Sequence, residues 1–171
     1  LGARQLPEGD RAKVRVIRQS MPRLSAPAQP GFVACSLAHM RDVKDPLLAA
    51  QALALLPETS PIRIVHVGGT YDASWRARAE ATEAAMGGRW RWLGDQSRCD
   101  ALALLASSRL LVLTSLSEGG ANVVTEAIAA GVPILSTRID GSLGILGEDY
   151  PAYFDVGDAP APRHGIADVA D

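Results

Sequence analysis

With 171 residues, 47% of them hydrophobic and 21% charged, the chain has the composition of one soluble globular domain with its own core. A formal net charge of −2 supplies no basic field for a nucleic-acid backbone. No apolar run reaches the ~18 residues of a membrane span, and Arg109 interrupts the longest candidate.

The chain opens on Leu1 rather than Met, as a fragment would, and shows no signal peptide. Val14-Arg-Val-Ile17 alternates like a short strand. Residues 19–31 carry Pro22, Pro27 and Pro30 among small polar residues, which is linker chemistry. From Phe32 onward strand and helix alternate. Residues 32–36 read as a strand, and 45–56 as a helix with Asp45 as N-cap and Pro46 at the first position. A strand at 62–67, a helix at 74–86, a short strand at 90–93 and a helix at 98–107 follow. Residues 110–114, 122–130 and 132–136 complete a strand–helix–strand unit. Continuous apolar strands between helices predict an α/β fold, a doubly wound parallel sheet of Rossmann-like type. Ligands are then expected at the carboxyl ends of the strands.

Three loops at that edge hold candidate groups. Leu37-Ala-His-Met-Arg-Asp-Val-Lys44 brings His39, Arg41 and Lys44, and Lys44 is one of only two lysines in the chain. A flexible point charge ahead of a helix suits a phosphate, although a solvated basic loop has the same composition. Gly68 and Gly69 follow the second strand, where a tight turn explains a glycine pair as readily as ligand contact does. Trp90, Trp92 and Leu93 read as strand core rather than as a platform for stacking a base. Cys35 and Cys99 are too few for a disulfide framework and lack metal-ligand spacing, so inert thiols in a reducing cytoplasm are expected. No nucleophilic Ser motif, zinc spacing, P-loop or dinucleotide glycine fingerprint is present.

The most specific stretch runs Ser117-Glu118-Gly119-Gly120-Ala121-Asn122-Val123-Val124-Thr125-Glu126, and Gly131 and Pro133 end its helix. Small residues at 119–121 let a ligand approach the backbone, and the helix start near Asn122 presents unpaired N–H groups. Glu126 lies one turn inside on the face of Asn122, so its carboxylate leans back toward the loop. Taken alone, Glu126 reads equally as an acid favoured by the helix dipole, and Glu118 as a solvated loop residue. A capping box fits less well, because Asn122 as N-cap would need its Glu at position 125, which is Thr125. Together, phosphate on the backbone and hydroxyls on two carboxylates describe the recognition of a sugar nucleotide.

This segment resembles the signature of the family 4 glycosyltransferases of the GT-B fold. Its usual form is Glu-Gly-Phe-Gly, four residues, Glu-Ala and a Gly-x-Pro turn. Glu118 and Glu126 match its acids, whereas Gly120 and Ala121 replace the aromatic and the second glycine. With Ser136-Thr-Arg-Ile139 and Leu146-Gly-Glu-Asp-Tyr-Pro151, that departure is similar to the selenosugar synthases of selenoneine biosynthesis, which join a UDP-sugar to selenophosphate. The resemblance spans about Val14 to Asp158.

It implies the C-terminal half of a GT-B fold: an interdomain strand and linker over 1–31, a nucleotide-sugar domain over 32–158 and a truncated tail over 159–171. The N-terminal acceptor domain is then missing from the chain. A UDP-sugar donor is implied, UDP-GlcNAc first, with neither metal nor other cofactor. Glu118 is the expected catalytic residue, holding the sugar's hydroxyls, and Glu126 takes the ribose diol. Gly119, Gly120, Ala121, Asn122 and Val123 surround the sugar and pyrophosphate. His39 and Lys44 take the places of the family's phosphate-binding Arg and Lys, and Arg41 stands by to compensate for the first. Gly68 is expected in the site, and the backbone near Leu93-Gly94 beside the base. A nucleotide-sugar epimerase of the same fold and a non-catalytic binding module stay open as alternatives.

Overall fold

The computed structural model describes residues 7–14 and 20–170. The strand expected at 14–17 lies, from residue 15 on, outside the described residues. One turn of helix, α1 (Glu8–Arg11), comes first. Residues 20–31 are irregular but bound to the domain: Leu24 N–H donates to the Ala129 carbonyl and Gln29 N–H to that of Ser107, at 3.0 and 3.1 Å.

The alternating elements are β1 (Phe32–Leu37), α2 (Leu48–Ala54), β2 (Ile62–Val67), α3 (Ala73–Ala85), β3 (Trp90–Trp92), α4 (Arg98–Ser107), β4 (Leu110–Leu113), α5 (Asn122–Ala130), β5 (Ile134–Thr137), α6 (Asp140–Leu146), β6 (Tyr153–Phe154) and α7 (Pro160–Ala170). Six parallel strands form one sheet in the order β3-β2-β1-β4-β5-β6. Neighbouring strand residues point to opposite faces, and that alternation divides the core. Ala34, Ile64, Leu110, Val112 and Leu135 pack with α2, α3 and α7. Cys35, Leu111, Leu113 and Ile134 pack with α4 and α5. Leu53, Ile64, Leu105, Leu110 and Leu111 are wholly enclosed; each such side chain contributes roughly 1.5–3 kcal/mol of burial.

Helix α5 occupies the expected residues, and Gly131 closes it in the left-handed conformation at φ 69°. The helix expected to start at Asp45 does not. Asp45 is itself left-handed, φ 39°, and ends a 3-10 turn at Asp42–Lys44, so α2 begins at Leu48. The cause is tertiary. Thr114 Oγ1 donates to the Lys44 carbonyl at 3.0 Å and Leu116 N–H to that of Val43 at 2.9 Å, which ties this loop to the loop after β4. Residues 160–170, within the tail expected over 159–171, form α7. Asp158 Oδ1 accepts from Ala161 N–H at 3.2 Å, and Ile166 is fully buried in the core of the domain.

Candidate functional site

The strand order reverses direction at β1, whose neighbours β2 and β4 are both reached by crossovers, and a crevice opens beyond the carboxyl ends there. It is an open cleft of about 460 Å³ lined by the loops after β1, β2, β3 and β4. Those loops are stitched side by side: Ala38 N–H to Val67, Met40 N–H to Gly69 and Gly68 N–H to Gly94, all at 2.8–3.0 Å. Gly68 sits where the stitching is tightest. A Cβ there would lie 1.9 Å from the Ala38 carbonyl oxygen, so the close approach demands glycine.

Glu118 is set by the loop after β4. Thr137 Oγ1 holds the Ser115 carbonyl at 2.7 Å, and Ser115 Oγ donates to Glu118 Oε1 at 2.8 Å. The same oxygen is ion-paired with Lys44 Nζ, both side chains being largely buried. The loop also rests on α6, since a Cβ on Gly141 would meet Glu118 Cβ and O at 2.7 Å. Glu126, 7% exposed, faces the cleft from inside α5. Its Oε1 is ion-paired with Arg98 Nη2 at 2.8 Å. No side chain caps α5, whose first residues Asn122 and Val123 line the cleft with the N-cap Ala121. Its leading amides are therefore available to a ligand.

Of the expected residues, His39, Lys44, Gly68, Glu118, Gly120, Ala121, Asn122, Val123 and Glu126 line this cleft. Arg41 and Gly119 do not. Arg41, the N-cap of the 3-10 turn, lines a neighbouring hollow with Tyr71 and Trp75 instead. Gly119 is exposed on the outside of the turn. Sequence reasoning missed Arg98. The Ser97 N-cap, whose Oγ accepts from Asp100 N–H at 3.1 Å, fixes the start of α4 and was a legible signal, but the direction of the arginine was not.

Two aromatic residues support the edge from below. Trp90 is fully enclosed, and Trp92, partly buried, donates its indole N–H to the Gly68 carbonyl at 2.8 Å, so the strand-core reading holds for these two. Leu93 does not belong to the core, because β3 ends at Trp92 and leaves it 37% exposed in the following loop. Trp92, Leu93, Gly94 and Asp95 line an adjoining hollow of about 410 Å³ that shares His39 with the cleft. Under the loop, His66 Nε2 bonds the Ala38 carbonyl at 2.8 Å while Nδ1 has no partner. Burial lowers the His66 pKa to about 4, against the pull of that hydrogen bond. Burial likewise pushes the Cys35 thiol up to about 12, which makes it inert. Among the described residues there is no group of three or more His, Cys, Asp or Glu side chains arranged for a metal, and no helix long and apolar enough to cross a membrane.

Fold and cleft together define a Rossmann-like domain whose switch point carries an open cleft lined by Lys44, Arg98, two glutamates and an uncapped helix start. Residues 18–167 match the family described as "Glycosyl transferases group 1", and the chain belongs to that family. It is 28% identical over 142 residues to a D-inositol 3-phosphate glycosyltransferase of Salinispora tropica, a match covering 78% of this chain and 29% of that protein. Among solved structures, a glycosyltransferase of Rickettsia africae superposes with a TM-score of 0.73 at 16% identity, over 82% of this chain and 38% of that one. Anabaena Alr3699/HepE in complex with UDP and glucose gives 0.71 at 20% identity, over 80% of this chain and 38% of that one. These likenesses show the fold, that of the GT-B glycosyltransferases. The chain thus spans under half the length of the proteins it matches.

Proposed function

We propose that this chain is the donor-binding half of a glycosyltransferase and that its cleft takes a UDP-sugar. One observation carries the reading: Glu118 and Glu126 line a single cleft with an uncapped helix start between them. Amides and cations there suit a diphosphate, and carboxylates on both sides suit the hydroxyls that flank it. A sugar nucleotide carries its groups in that order: ribose diol, diphosphate, sugar polyol. Glu126 takes the ribose, Glu118 the sugar, and Ala121 to Val123 with Lys44 and His39 the diphosphate. That Alr3699/HepE structures hold UDP or UDP-glucose supports the choice.

Lys44 is ion-paired with Glu118. A donor exchanges these partners, the diphosphate taking the ammonium and the sugar hydroxyls taking the carboxylate. In transfer, an acceptor atom bonds to the anomeric carbon as that carbon's bond to the diphosphate oxygen breaks. UDP leaves with the electron pair, and Lys44 and the α5 amides offset its charge.

The resemblance to selenosugar synthases supports UDP-GlcNAc as donor and selenophosphate as acceptor, the latter brought by an N-terminal domain in the cytoplasm. A phosphate-bearing acceptor also agrees with the name of the Salinispora relative. Calorimetric titration with UDP tests the cleft. Glu126→Gln is expected to weaken UDP about ten- to a hundredfold, the worth of a hydrogen bond to a charged acceptor. Glu118→Gln, which frees Lys44 for the diphosphate, should not weaken UDP and should lower turnover of UDP-GlcNAc with selenophosphate by the full-length enzyme. Wild-type behaviour in both variants overturns the reading.

A further inference from the structure

Two consecutive hydroxyls stand where β4 runs into its loop, and each reaches one partner of the Lys44–Glu118 pair. Thr114 Oγ1 donates to the Lys44 carbonyl at 3.0 Å, and Ser115 Oγ donates to Glu118 Oε1 at 2.8 Å. Ser115 is wholly enclosed and is not among the residues that line the cleft, so it meets a ligand only through Glu118. It is also fixed from β5, because its carbonyl accepts from Thr137 Oγ1 at 2.7 Å. Lys44 and Ser115 converge on the same carboxylate oxygen. The other oxygen of Glu118 is thus the one left to a ligand in the cleft that this residue lines. The two holds differ in permanence. Lys44 lines the cleft on a long flexible stem, so a diphosphate can draw it away. The serine, short and enclosed at the end of a strand, cannot follow. With Lys44 drawn off, the Ser115 hydroxyl still holds Oε1 and spares the glutamate the rotamer freedom it would otherwise lose on binding.

We propose that Ser115 is a positioning residue of the donor site: its hydroxyl keeps Glu118 aimed into the cleft once Lys44 has gone to the diphosphate. This rests on the reading that Glu118 meets the donor's sugar.

The test measures UDP and UDP-GlcNAc by calorimetry on wild type, Ser115→Ala, Ser115→Cys, Glu118→Ala and the double variant carrying both alanines. The readout is the ratio of the UDP-GlcNAc to the UDP affinity, which isolates the sugar. Ser115→Ala should keep its affinity for UDP and lower that ratio about three- to tenfold, the worth of one hydrogen bond. Ser115→Cys, nearly the same size with a weaker donor, should fall between, and it decides the matter alone if the alanine variant does not fold. In the Glu118→Ala background the serine should no longer matter, because it acts through that carboxylate. An unchanged ratio in the Ser115 variants overturns the proposal. So does an equal loss for both ligands, which would make the hydroxyl a support of the loop only, or a fall in the ratio that persists without Glu118. A different pattern strikes the underlying reading: Glu118→Ala with the wild-type ratio would mean that Glu118 never meets the sugar.

Discussion

Each ionisable residue around the cleft is governed by how much water it keeps. Glu118 and Lys44 are sheltered together and neutralise each other, whereas His66 beneath them is sheltered alone and stays uncharged. Its pKa falls from 6.5 to about 4 in the folded chain. Between those values the unfolded chain binds a proton that the native one refuses, so stability drops as pH falls from about 6.5 toward 4. The slope from this residue is about 1.4 kcal/mol per pH unit. Urea midpoints at pH 7 and pH 5 should therefore differ more for wild type than for His66→Gln, which keeps an N–H for the Ala38 carbonyl but does not titrate. An equal acid loss in both proteins would remove His66 from the account. At this scale the two glutamates were legible in the sequence, because glycine turn, helix start and eight-residue spacing are all local. The directions of Arg41 and Arg98 were not. Arg41 is turned by hydrogen bonds to residues about 70 positions away, and Arg98 is aimed by the packing of α4 on α5.

The elements carry the site by fitting closely at two glycines. Gly68 lets the loop after β2 lie on Ala38, and Gly141 lets the first turn of α6 support Glu118. Helix α6 holds its own comparison, since a Cβ on Gly144 meets nothing within 4 Å. Gly141→Ala should cost about 1–3 kcal/mol of stability through overpacking. Gly144→Ala should be neutral or stabilising by about 0.5–1 kcal/mol, because alanine suits a helix interior. Urea unfolding of the two variants decides it, and equal midpoints would show that the loop yields freely. The elements best read from sequence were those with their own stop signals, as α5 with Gly131 and Pro133. The start of α2 was misread because Asp45-Pro46 looks like a cap until Thr114 and Leu116 seize the preceding carbonyls. Helix α7 was missed as a helix because its residues include Pro162 and Gly165. The glycine is there for packing: a Cβ would sit 2.7 Å from Leu135 Cδ1.

Across the whole molecule, the sheet order gathers at one edge groups that the chain keeps far apart. Lys44 comes from the loop after β1, Arg98 from the start of α4 and the amides from α5, all at the reversal of strand order. The alternating pattern predicted this edge, though no single segment encodes which loops meet there. A chain with a net charge of −2 thus places Lys44, Arg98 and a bare helix start around one crevice. On the proposed reading Lys44 and the α5 amides offset the charge of a diphosphate without a divalent ion, since positioned amides and side-chain cations act strongly in a part-enclosed site. UDP affinity is accordingly expected to be the same in EDTA as in millimolar Mg²⁺, within about twofold at constant ionic strength. Lys44→Ala should instead weaken UDP about tenfold in either buffer, the worth of one charge-assisted hydrogen bond to phosphate. Titration of wild type and variant in both buffers separates the cases. Should EDTA abolish binding in wild type and Mg²⁺ restore it, the protein's own cations are insufficient, and the diphosphate must be held by a metal bridge that this arrangement of residues does not call for.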